Sequence, residues 1–106
     1  MESGPIRPGM SYFMNSGSYG PGDAPFKFKL PWFVRNYRDL KVEAYRLDAP
    51  GVGRVWLDDS PTFPGQRAGE WGIAGDVEVP TAGCWKVTGT NPDGSASFVF
   101  RVPQRS

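Results

Sequence analysis

Cys84 is the only cysteine, and the chain contains no histidine. These two facts remove most covalent and proton-shuttling chemistry. A cysteine nucleophile needs a neighbouring base, and without histidine the usual one is missing. A lone cysteine closes no intrachain disulfide, so Cys84 reads as a small, half-buried strand residue. The 11 acidic residues leave two further chemistries to weigh. Asp58-Asp59-Ser60, with Asp76 or Glu70 nearby in the fold, offers oxygen ligands for calcium. The spaced Asp/Asn/Gly loop that would complete such a shell is absent, so these acids read as solvated loop residues. Two carboxylates are the right residue types to hydrolyse a glycosidic bond. Nothing in the spacing pairs any two of them, and so short a chain has little room for a deep cleft. No catalytic residue, metal ligand set or cofactor is assigned.

Binding chemistry is better represented. Between residues 26 and 46, Phe26, Phe28, Trp32, Phe33, Tyr37 and Tyr45 interleave with Lys27, Lys29, Arg35, Arg38, Lys41 and Arg46, against only Asp39 and Glu43. Aromatic and basic side chains together suit single-stranded nucleic acid or an anionic glycan. The alternation in Phe26–Leu30, however, sends the two residue types to opposite faces of a strand, which favours a core face and a solvated face. With a formal net charge of +1 no global field draws in a polyanion, and nucleic acid is not favoured. Trp56, Phe63, Arg67 and Trp71 fall in Gly/Pro-rich sequence. Aromatics exposed there would hold sugar rings or a partner protein, and the alternative is that they cap the ends of the fold. The segment 58–76 is long for a connection without regular structure, and such loops tend to be functional or disordered.

The elements that must position these residues are short strands. One domain is expected from 106 residues. The 14 Gly and 11 Pro alone suggest disorder, but four Trp, four Tyr and seven Phe do not; many short strands joined by Gly/Pro turns reconcile the two. No apolar window is long enough to span a membrane. Residues 1–25 read as a Gly/Pro-rich, partly flexible N-terminal arm, which Tyr12, Phe13, Met14 and Tyr19 pin to the body or form into an edge strand. Residues 26–106 read as the body. Period-2 alternation predicts strands at 26–30 and 97–102, with Phe98, Phe100 and Val102 on one face. Leu40–Leu47 fits a strand or a short helix. Strand is preferred because Ala49-Pro50-Gly51 ends the run after eight residues. Shorter strands are read at 55–57, 77–79 and 84–88, with loop-rich sequence over 48–76. Asn91-Pro92-Asp93-Gly94 predicts a four-residue hairpin connection, with Gly94 in the left-handed site.

Gly83 and Trp85 carry the fold assignment. A Gly followed two residues later by a large aromatic, then by alternating apolar residues, fits the entry to the penultimate strand of an Ig-type sandwich. Trp85 takes the place of the corner tyrosine, and its indole N–H needs a backbone acceptor near the corner. Val87 stands where antibody-type domains carry a cysteine. With Leu30-Pro31-Trp32, Tyr45-Arg46-Leu47-Asp48-Ala49-Pro50, Gly83-Cys84-Trp85-Lys86-Val87-Thr88-Gly89 and Ser97-Phe98-Val99-Phe100, the chain resembles a family of uncharacterised bacterial secreted proteins or lipoproteins. The resemblance covers roughly residues 26–102. Lys86 and the loop 58–76 depart from the family's pattern. The resemblance implies an extracytoplasmic β-sandwich and brings no established activity.

The expectation is therefore an all-β chain: a small Ig-like antiparallel β-sandwich without a disulfide. Its expected role is that of a non-catalytic extracytoplasmic binding or structural module, secreted or attached to the cell envelope. Met1-Glu2-Ser3-Gly4-Pro5 has neither a basic nor an apolar leader region, so either the protein is cytosolic, or a signal segment was removed or lies outside this sequence. The expected partner is a protein or a cell-wall polymer, bound by a monomer through Trp56, Phe63, Arg67 and Trp71. Alternatives are a small sandwich-type protease inhibitor and, lower, a carboxylate-based hydrolase or a nucleic-acid binder.

Overall fold

A computed structural model describes residues 6–10, 26–65 and 67–102. The described residues are all-β: β1 (Ile6–Pro8), β2 (Phe26–Lys29), β3 (Trp32–Val34), β4 (Lys41–Arg46), β5 (Arg54–Leu57), β6 (Phe63–Pro64), β7 (Trp71–Ile73), β8 (Gly75–Val79), β9 (Gly83–Asn91) and β10 (Gly94–Val102). They form three antiparallel sheets, ordered β1-β3-β7-β6, β10-β9-β4 and β2-β8-β5. Tyr12, Phe13, Met14 and Tyr19 lie outside the described residues. The edge strand contributed from within the arm is Ile6–Pro8, which pairs with β3 and buries Ile6 in the core.

Two of the sheets share one register. Phe26↔Val79 through Lys29↔Asp76 continues into Trp32↔Ile73 through Val34↔Trp71 without a slip. The Leu30 N–H donates to Gly75 O at 2.9 Å across the junction. Pro31 faces the other edge, where its carbonyl accepts from the Gly9 N–H at 2.7 Å, so its missing N–H takes no bond from this ladder, and β2–β3 and β7–β8 are parts of one longer strand pair. This composite layer packs against β10-β9-β4. Phe28 meets Phe100 edge to face at 5.4 Å between centroids, and Trp32 lies against Gly89, where an added Cβ would come within 2.6 Å of its ring. The core draws on all three sheets, including Phe28, Leu30, Trp32, Val77, Trp85 and Val87.

Alternation explains the faces. In β2, Phe26 and Phe28 are buried while Lys27 and Lys29 are exposed. In β4, Ala44 turns inward and Tyr45 outward, so the strand reading of this run holds. β10 keeps Ser97, Val99 and Arg101 exposed and buries Val102. β3 shows no alternation, because all three of its residues are buried. Phe33 points away from the core yet is covered by the Phe63 ring and the Arg7 guanidinium.

The corner is built as its residues require. Gly83 has φ +132°, and a Cβ there would collide with the Arg46 guanidinium. Trp85 is fully buried and its indole N–H donates to Thr81 O at 3.1 Å. Arg46 Nε donates to Asp48 Oδ1 at 2.7 Å, and Arg46 Nη1 donates to Thr81 Oγ1 at 3.3 Å. The Cys84 N–H also points at the Asp48 carboxylate. The Arg46 hydrogen bond, working against desolvation and aided by the Cys84 N–H, holds the Asp48 carboxyl below its ordinary range.

Two expectations need correction. The β9–β10 connection is shorter than four residues: Asn91 pairs with Gly94, leaving only Pro92 and Asp93 outside the ladder. The Asp93 N–H closes the turn on Asn91 Oδ1 at 2.9 Å. The segment 58–76 is not an irregular loop, since it contains β6 and β7, and β8 begins within it. Strands of two and three residues are too short to show a period.

Candidate functional site

The continuous register decides what the outer face of the composite layer carries. With the core residues facing inward, Lys29, Pro31, Ala74 and Asp76 must face outward together. Trp56 on β5 pairs with Asp76, so Lys29, Asp76 and Trp56 form one cross-strand row. The next row along this face holds Pro31 and Ala74, and beyond them Phe63 on β6 stands opposite Gly72. A Cβ at Gly72 would occupy the space of the Phe63 ring. Glycine there lets the ring lie down on the sheet and meet Phe33 edge to face at 5.8 Å.

Between Trp56 and Phe63 the surface dips into a groove of about 470 Å³, bordered by Lys29, Pro31, Leu57, Asp58, Ala74 and Asp76. Its walls are mainly apolar, and its volume lies inside the range of about 300–1,000 Å³ usual for ligand sites. Trp56 keeps 44% of its surface exposed while anchored in a paired strand. Lys27 Nζ lies over the indole at 5.3 Å from the ring centroid. Asp58 is committed to the turn leading to β6: it accepts from Thr62 Oγ1 at 2.8 Å, and that oxygen accepts from the Ala74 N–H at 3.1 Å. Asp76 makes no hydrogen bond or ion pair with any described residue, although Lys29 is its cross-strand neighbour.

The four residues singled out from sequence therefore separate. Trp56 and Phe63 border one groove. Trp71 is 46% exposed but belongs to the opposite face of its sheet, edge to face with Tyr37 at 6.5 Å between centroids. Arg67 starts the tight turn before β7. Its N–H donates to Glu70 Oε1 at 3.2 Å, and its carbonyl accepts from the Glu70 N–H at 3.1 Å. Glu70, considered with the acids of 58–60, instead meets Arg7 through two hydrogen bonds, of 3.2 and 2.9 Å. This part-buried pair ties β1 to the β6–β7 turn. Among the described residues, no group of three or more His, Cys, Asp or Glu could hold a metal ion.

Lys29, read among the interleaved bases of 26–46, and Asp76, read among the candidate calcium acids, are not joined to Trp56 by the sequence alone. Their alternation with core residues marks both as outward-facing. Only the pairing of β2 with β8 and of β8 with β5 brings them to Trp56. No family model matches the chain, and no curated protein or solved structure matches it significantly. The groove and its neighbours are thus the observations that bear on function.

Proposed function

We propose that this chain is a non-catalytic binding module whose contact surface is the Trp56–Phe63 groove. The observation that carries this reading is a half-exposed tryptophan fixed in a strand beside a carboxylate, Asp76, that makes no hydrogen bond or ion pair with any described residue. A rigid aromatic gives up little conformational freedom on binding, and an unpartnered acceptor beside it fixes orientation. Work outside the cytoplasm, on a partner protein or a cell-wall polymer, belongs to the same reading. It is supported by the resemblance at the Gly83–Trp85 corner, as is the Ig-like character of the sandwich. Trp56→Ala and Asp76→Asn should each shift stability by about 1 kcal/mol or less. Each should also remove most retention on whichever polymers or peptides the wild-type protein captures from a mixed array. An array on which the wild type shows no retention that depends on Trp56 would sink the proposal.

A second reading has one observation in its favour. Asp58 and Asp76 border the same groove, as a two-carboxylate hydrolase requires. Against it, Asp58 is held by Thr62 in a turn-forming role. Aryl glycosides incubated with the protein should release no phenol above the rate with Asp76→Asn, and release that this substitution abolishes would establish the hydrolase.

A further inference from the structure

Resting on the groove as the contact surface, we propose that its ligand is a neutral glycan, with a pyranose ring packed on Trp56 and hydroxyl groups donating to Asp76. The polar chemistry of the groove selects the class. Its side-chain acceptors are the carboxylates of Asp58 and Asp76, and its charged donor is Lys29. A carboxylate accepts only, so the ligand must bring donors. A sugar brings several hydroxyls, each able both to donate and to accept, on a ring with an apolar C–H face. A proline-rich segment, the other common partner of exposed aromatics, offers carbonyls and few N–H groups, and would leave Asp76 facing acceptors.

Charge excludes two further classes. The Lys27 ammonium over the indole and Lys29 in the groove oppose a cationic ligand by like charge. Two carboxylates in one groove oppose a polyanion. A neutral, hydroxyl-rich ring remains. The groove is open and runs from Trp56 past Ala74 to Phe63, which suits a segment of a chain better than a buried monosaccharide.

Affinity electrophoresis of the full chain tests this. The gels would contain neutral polymers (mixed-linkage β-glucan, xyloglucan, mannan, soluble glycol chitin), with polygalacturonate, chitosan and a proline-rich peptide conjugate as the contrasting arms. At least one neutral glycan should retard the wild-type protein. Trp56→Ala should weaken that binding by about tenfold or more, and Asp76→Asn by roughly threefold to tenfold. Trp71→Ala, a tryptophan on the opposite face, should leave it unchanged. Melting curves taken in parallel separate loss of the ring from loss of the fold. The proposal is overturned if no neutral glycan binds, or if Trp71→Ala removes binding as completely as Trp56→Ala. Trp56-dependent binding confined to polygalacturonate, chitosan or the peptide overturns the glycan assignment while leaving the groove as the contact surface.

Discussion

Two tryptophan-centred regions lie in the same small protein and use their polar groups in opposite ways. At the corner before β9, the Trp85 N–H, the Arg46 guanidinium, the Asp48 carboxylate and the Thr81 hydroxyl all find partners within the chain. At the groove, the Trp56 ring is half-exposed, and Asp76 has no partner among the described residues. Satisfied groups hold a fold together, and groups left with spare capacity on a rigid strand are free to meet something else. Residue type does not separate the two regions, since both combine a tryptophan, a basic residue and an aspartate. What separates them is the aspartate beside the ring: Asp48 is hydrogen-bonded, whereas Asp76 has no partner among the described residues.

The sharpest way to break this contrast is to remove both rings. Trp85→Ala should cost about 3–5 kcal/mol, because it empties a fully buried site, and the variant should lose its cooperative melt. Trp56→Ala should cost roughly 1 kcal/mol or less. Thermal and urea unfolding read both values. Similar losses for the two variants would mean that Trp56 is structural and that the groove is not a spare surface.

A finer comparison sets Trp85 against Trp32, for both are fully buried. The Trp85 N–H has its acceptor, whereas the Trp32 N–H is buried with none among the described residues. Replacing either by Phe removes similar volume, so the packing losses should resemble one another. Trp85→Phe also gives up a hydrogen bond, while Trp32→Phe relieves an unsatisfied donor. Trp85→Phe should therefore be the more destabilising by about 1–3 kcal/mol, measured from urea midpoints at constant slope. A Trp32→Phe variant that loses as much as Trp85→Phe would contradict this account of the orphan N–H.

Much of the corner was legible in the sequence because its constraints are local. Gly83, Trp85 and Thr81 lie within a few residues of one another, and the turn at Pro92-Asp93 depends on its own residues. Alternation likewise gave the faces of β2 and β10. The composite layer was less legible. β6 and β7 are too short for periodicity, and β3 is covered on both faces, which erases the polar half of the pattern. β1 lies in sequence whose Gly and Pro content argues for an arm. It is held by an Arg7–Glu70 pair between residues far apart in the chain. The groove depends on register between such distant segments: outward direction can be read from Gly75–Val79, but Trp56 as the neighbour of Asp76 cannot. Trp71 and Phe63 are alike in sequence, yet Phe63 stands opposite Gly72, and Trp71, one residue before that glycine, takes the other face.

The smallest expected effect sharpens the corner side of the contrast through pH. The Asp48 carboxyl is held below its ordinary value of 3.8, chiefly by the Arg46 hydrogen bond, so the fold favours the ionised form. A lowered folded-state value means that the carboxylate's contribution is complete above the unfolded aspartate range and fades as the pH falls through the folded value. Asp48→Asn keeps the shape and removes the charge, much as protonation does. The stability gap between wild type and Asp48→Asn should therefore stay constant above about pH 5 and close in more acidic solution. Because Asp48 is exposed, the gap should be small and should shrink with added salt. Unfolding followed at several pH values in low salt would read it. A gap that persists undiminished at about pH 2 would show that Arg46 gains nothing from the charge, and that shape and neutral hydrogen bonding alone fix this corner.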